Sequence, residues 1–107
     1  MFIFNLTYIK PILEVERVLP EHIRYLEENY SVRKFICSGR KNPRTGGIIL
    51  CNCGTRQEAE QIMKQDPFFK EKIAQYEIIE FVPSKSLEMF KILMDDIAQE
   101  EQNSSFM

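Results

Sequence analysis

Hydrophobic and polar positions recur along this chain with two periods, near two and near 3.6, and the changes of period divide it into elements. FIFNLTYI (2–9) is aromatic and β-branched enough for a strand. Both alternating faces carry apolar groups, Phe2, Phe4, Leu6 and Tyr8 on one and Ile3 and Ile9 on the other, so the strand calls for cover on both sides. After Pro11 the pattern predicts a turn or short helical piece. PEHIRYLEENY (20–30) then puts Pro20 at a first helical position, with Ile23, Leu26 and Tyr30 at helical spacing, and predicts the first main helix.

KFICSGRK (34–41) and GIILCNC (47–53) read as strands joined through the turn formers of NPRTGG, which predicts a hairpin. TRQEAEQIMKQ (55–65) opens with Thr55 three residues before Glu58, the capping-box spacing, and groups Ala59, Ile62 and Met63 on one helical face. AQYEIIEFV (74–82) alternates as a fourth strand and Pro83 ends it. Beyond it, Leu87, Phe90, Met94 and Ile97 share one face of a helix expected from about 85 to 100, with a polar end. The expected division is a domain over 1–83 followed by a helical extension and tail over 84–107.

The order β, α, β, β, α, β is the ferredoxin-like α+β arrangement, in which right-handed crossovers place both helices on one face of a four-stranded antiparallel sheet. The other face is left bare. Its residues, among them Ile3 or Phe4, Leu50 or Cys51, and Ile78 or Ile79, are too apolar for open water, so a second copy's sheet is the simplest cover. A chain of 107 residues has a small core and gains burial by such a homodimer. The C-terminal helix would supply any higher assembly.

Composition narrows the functional classes. A hydrophobic content of 44% with 28% charged residues is that of an ordinary globular domain, and a net charge of -2 without a basic cluster argues against nucleic acid. The N-terminus lacks a basic region with a cleavage site, and no apolar run approaches a membrane span, so a cytoplasmic protein without membrane contact is expected. Cys37, Cys51 and Cys53 form neither a disulfide framework nor, with the single histidine His22, a common zinc spacing; reduced thiols and no metal or other cofactor are expected. With NPRTGG as hairpin centre, Cys37 and Cys51 fall roughly opposite one another. That turn has two adjacent glycines but not the spacing of a phosphate-binding loop.

PEHIRYL, FICSG, NPRTGGIIL, DPF and AQYEIIEF, in that order over roughly residues 2–83, resemble the YciI-like (YCII-related) family of the dimeric α+β barrel superfamily. The resemblance implies a ferredoxin-like subunit packed sheet to sheet on its mate, and an active-site cleft around a histidine and an aspartate that fall here on His22 and Asp66. One branch of the family is similar to a dehydrochlorinase of a chlorinated hydroxyquinol. This chain departs from the pattern at Arg40 and Lys41, where similar sequences tend to have a proline and a neutral polar residue, which makes the pocket friendlier to anions.

Each candidate has a structural reading beside its functional one. His22 lies at the edge of the first helix's apolar stripe, either as a core-edge histidine or with its ring at a cleft. Asp66 continues the buried face of the second helix, where a carboxylate opposes the helix dipole and asks for a partner such as His22. Before Pro67 it also fits the N-cap of a new short helix, PFFKEK, and its oxygens allow both roles. Ser38, Arg40 and Arg44 belong either to a solvated hairpin or to a substrate contact, and Phe68 either packs or walls the cleft. The reading is a small metal-independent enzyme of the lyase or isomerase type. In it Asp66 orients His22, and His22 moves a proton on a small polar, hydroxylated or aromatic metabolite. The alternative is a non-catalytic ligand-binding or interaction module using the same cleft.

Overall fold

The computed structural model describes residues 1–94. Its elements are β1 (Phe2–Tyr8), α1 (Ile12–Ser31), β2 (Phe35–Arg40), β3 (Gly46–Cys51), α2 (Arg56–Lys64), α3 (Pro67–Lys70) and β4 (Ala74–Glu80). The four strands form one antiparallel sheet in the order β2-β3-β1-β4, the ferredoxin-like topology. Residues 88–94 are helical, starting later than the sequence pattern predicts; Ile97 and the rest of the expected helix lie outside the described residues.

Strand alternation sorts the sheet into two unlike faces. Phe2, Phe4 and Leu6 of β1, with Ile49 and Cys51 of β3, turn toward the helices and are buried. There Phe4 meets Phe35 and Tyr76 edge to face, with ring centroids 6.0 and 6.3 Å apart. The register pairs Ile3 with both Leu50 and Ile79, which settles the bare face on those three residues. Ile48 and Ile79 are exposed there. In the same face Asn5 Nδ2 donates to Glu77, while Asn5 Oδ1 is buried and has no hydrogen-bond partner among the described residues.

Two sequence expectations are corrected. Pro20 does not start a helix: it lies inside the 20-residue α1, whose buried side chains Val15, Val18, His22 and Tyr25 keep one stripe across it. A proline there forgoes one backbone hydrogen bond, and the continuous buried stripe offsets the loss. That stripe is rotated from the predicted one, so Ile23 is exposed and His22 buried. Second, an irregularity between Phe35 and Cys37 shifts the β2–β3 register, pairing Cys51 with Phe35 and Cys37 with Leu50. Cys51 is therefore buried under the helices and Cys37 exposed, which excludes a bridge between them.

The α2 start follows its sequence signature with one change. Thr55 Oγ1 accepts from the Glu58 N–H at 3.1 Å, while the Glu58 carboxylate reaches past Thr55 to the Gly54 N–H, also at 3.1 Å. Partial burial alone would push the Glu58 carboxyl up, but the Lys34 ammonium at 2.9 Å and the Gly54 N–H together hold it below its ordinary value. A carboxyl depressed in the folded state adds stability above its unfolded pKa, and that increment disappears as pH falls through the folded value. Wild type should therefore lose stability between neutral and acidic pH more steeply than Glu58→Gln in parallel urea titrations. Identical pH profiles would show that the network adds nothing.

Covering the Ile3, Leu50 and Ile79 face with a second copy predicts a homodimer. Light scattering should report about twice the 12.7 kDa chain mass, and Ile79→Lys should shift the protein to monomer with its helices intact. A monomeric wild type would overturn sheet-to-sheet packing.

Candidate active site between the first helix and the hairpin

The site begins with a local rule of chain geometry. Pro67 has no N–H and a fixed φ, so it suits the first position of α3, and the residue before it is held extended, as Asp66 is at φ -67° and ψ 126°. From there Asp66 Oδ1 accepts the Phe68 N–H at 2.9 Å and caps the helix. The end of α3 is closed without glycine: Lys72 takes the left-handed conformation at φ 57°, its N–H bonding to the Phe69 carbonyl and that of Ile73 to the Phe68 carbonyl. Ile73 and Phe68 are both buried, so the four-residue helix is pinned at each end.

The same Asp66 oxygen meets His22 of α1. Nδ1 lies 2.8 Å from Oδ1, with Asp66 fully buried and His22 nearly so. An oxygen already accepting from a backbone N–H acts as acceptor toward the ring as well, so Nδ1 carries the proton and Nε2 is the nitrogen left for other work. Phe68 stacks on the imidazole with centroids 4.0 Å apart and planes 7° from parallel, fixing the ring plane that Asp66 leaves free. Asp66 Oδ2 is buried with no hydrogen-bond partner among the described residues, so the carboxylate depends on its other oxygen and on His22. Burial, then the nearby charge of Asp66, push the Tyr25 phenol well above its ordinary value; it donates to the Ile62 carbonyl at 2.7 Å.

A cavity of about 300 Å³ opens beside this pair, between α1 and the β2–β3 end of the sheet. His22, Ser38, Arg40, Arg44 and Phe68 all line it, so five of the six residues singled out in the sequence share one cavity and Asp66 stands behind His22. The rest of the wall is largely apolar, with Leu6, Leu19, Leu26 and Ile49 among it. Backbone approach shapes the sheet side: a Cβ on Gly46 would lie 1.8 Å from the Leu6 carbonyl oxygen, so that position admits only glycine. Gly47 pairs with Arg40 on one side and Leu6 on the other, and its missing side chain leaves space between them.

The polar groups differ in how they are held. Arg44 is paired with Glu16 at 3.3 Å, whereas Arg40 has no hydrogen-bond or ion-pair partner among the described residues. Lys41 reaches Thr7 at 3.3 Å and does not line the cavity. Tyr30, which the sequence places only in an apolar stripe, shares a 2.6 Å hydrogen bond with Ser38. Its signal was the spacing, since His22, Leu26 and Tyr30 follow at four-residue steps on α1. Cys51 and Cys53 lie outside the cavity, and among the described residues no three His, Cys, Asp or Glu side chains come together as metal ligands.

The family model of the YCII-related domain matches residues 1–82. The chain belongs to this family. Among solved structures, the YCII-related domain is similar to the 5-chloro-2-hydroxyhydroquinone dehydrochlorinase of Burkholderia phenoliruptrix AC1100, determined in complex with 2,5-dihydroxybenzoquinone. The identity is 18%, the match covers 77% of this chain and 94% of that one, and the TM-score is 0.63, which is a likeness of fold. A search of curated proteins gives no match.

The contact between His22 and Asp66 carries a spectroscopic prediction. Neutral His22 should be the Nδ1–H tautomer in nitrogen-15 NMR, and Asp66→Ala should release it toward Nε2–H while costing about 2 kcal/mol through the lost cap and charged hydrogen bond. Asp66→Asn keeps the cap and should cost less. Nε2–H as the main wild-type tautomer would mean that Asp66 is only a helix cap.

Proposed function

We propose that this protein is a small enzyme of the lyase or isomerase type, in which His22 transfers a proton on a small, hydroxylated or aromatic metabolite held in the cavity. The observation that carries the reading is the buried Asp66–His22 pair: Nδ1 lies 2.8 Å from a buried carboxylate oxygen, Phe68 stacks on the ring, and a cavity of about 300 Å³ lies beside the imidazole. A ring oriented by a buried carboxylate presents an unprotonated Nε2, the form a general base needs, and stabilises the imidazolium that forms when it takes a proton. The cavity is at the small end of ligand sites and mostly apolar, which suits a compact ring with a few oxygen substituents. Ser38, backed by Tyr30, supplies a hydroxyl to such a substituent.

Membership of the YCII-related family and the fold shared with a dehydrochlorinase support this class of chemistry. Elimination of hydrogen chloride from a chlorinated hydroxyquinol leaves a hydroxyquinone. The base takes a proton and chloride departs with the C–Cl bonding pair. In this chain the base is His22 through Nε2, Asp66 is its positioning residue, and the rim arginines and Ser38 orient the substrate.

The test uses 5-chloro-2-hydroxyhydroquinone as probe and chloride release as readout. Wild type should exceed the buffer rate, and His22→Gln, which keeps a donor toward Asp66, should lose roughly 10²–10⁴-fold in kcat with its circular dichroism unchanged. Binding of the probe without chloride release would favour a non-catalytic ligand-binding module. Release unchanged in His22→Gln would remove His22 from the chemistry.

A further inference from the structure

We infer that the ligand of this cavity carries a negative charge, a carboxylate or an acidic enol, which Arg40 receives at the rim while the apolar body lies between α1 and the sheet. The inference rests on the cavity being a ligand site, as proposed above, and adds the charge class of the ligand and the residue that selects it. Three observations lead to it.

The first is charge balance. Among the described residues two arginines line the cavity and no aspartate or glutamate does; Asp66 lies behind His22 and is engaged by that ring and the Phe68 amide. The second separates the two arginines. Glu16 holds Arg44 from outside the lining at 3.3 Å, whereas Arg40 has no such partner among the described residues, and its donors are free for a ligand. A guanidinium presents five N–H donors in a planar fork that fits a carboxylate or a pair of adjacent oxygens with two parallel hydrogen bonds.

The third is position. Arg40 ends β2 directly opposite Gly47, which is itself opposite Leu6, so the row running inward from Arg40 is a glycine and then a buried apolar side chain. A ligand whose charge meets Arg40 therefore places its body over Gly47 and against apolar wall, toward the side that His22 lines. A neutral ligand would leave the guanidinium against an apolar wall with only water as partner. An anionic one gains a charge-assisted bidentate contact with the exposed Arg40 at the rim.

Matched probes of one shape and different charge test this. Benzoate and benzamide are titrated into the 107-residue chain, with the backbone amides of Gly39, Gly46 and Gly47 followed by NMR. Benzoate should bind roughly tenfold more tightly than benzamide, with an affinity that falls as salt rises. Arg40→Gln should abolish that preference by weakening benzoate far more than benzamide, and Arg44→Gln should change it less than Arg40→Gln does. Equal affinities in wild type, a preference that survives Arg40→Gln, or no perturbation of the cavity by either probe at millimolar concentration would each overturn the inference. Because no chemistry is read in this experiment, its failure leaves proton transfer by His22 to the chloride-release test, and failure of that test leaves the charge preference to be judged here.

Discussion

One oxygen atom joins the two halves of the site. Asp66 Oδ1 takes a backbone proton from Phe68 and a ring proton from His22, so the start of α3 and the middle of α1 share a single acceptor in a fully buried setting. A carboxylate can be kept there only if its charge is met, because an unpaired buried charge costs several kcal/mol. With Oδ2 unpartnered among the described residues, the contact with His22 has structural weight whatever chemistry the ring performs. The two readings of Asp66, cap and partner, are the same hydrogen-bonding arrangement seen from different helices.

From that atom the rest of the site follows by short steps. Capping by Asp66 starts α3 at Pro67, which brings Phe68 under the imidazole, and the buried Ile73 fastens the far end of the same turn. Across the cavity, close approach of the β3 backbone at Gly46 to Leu6 sets the sheet side, and Gly47 leaves room where a side chain would fill it. The pair thus stands on a rigid helix stripe and faces a wall shaped by backbone, the setting in which a small error of position is least tolerated and least needed.

The opposite face of the sheet follows a different logic. Ile3, Leu50 and Ile79 line up across three strands, and a buried Asn5 oxygen with no partner among the described residues lies in the next row. Apolar rows favour burial without specifying a partner's orientation, whereas an unsatisfied polar atom adds a directional requirement. An assembly that covers this face stiffens the sheet whose other side carries the cavity.

Local rules were legible in the residues themselves. The alternation of β1, the Thr55 and Glu58 cap, the NPRTGG turn and the Asp-Pro helix start each depend on neighbours a few positions apart, and each appears in the fold where its pattern lies. Helix phase was not legible in the same way. The predicted stripe of Ile23, Leu26 and Tyr30 and the buried one of Val15, Val18, His22 and Tyr25 are neighbouring edges of one broad apolar face of α1, and only packing on the sheet decides that its centre falls nearer His22, leaving Leu26 and Tyr30 partly buried and Ile23 exposed. Pro20 misled for the same reason, since its local cost is outweighed by burial along the whole 20-residue helix. The irregularity near Cys37 depends on strand register, the pairing of Arg44 with Glu16 on a residue 28 positions distant, and the freedom of Arg40 among the described residues on the tertiary arrangement around it. The sequence by itself determined which elements form and which residues could do chemistry. The tertiary structure alone decided which of them meet, because register and helix phase are set by burial summed over the whole core and not by any short stretch of chain.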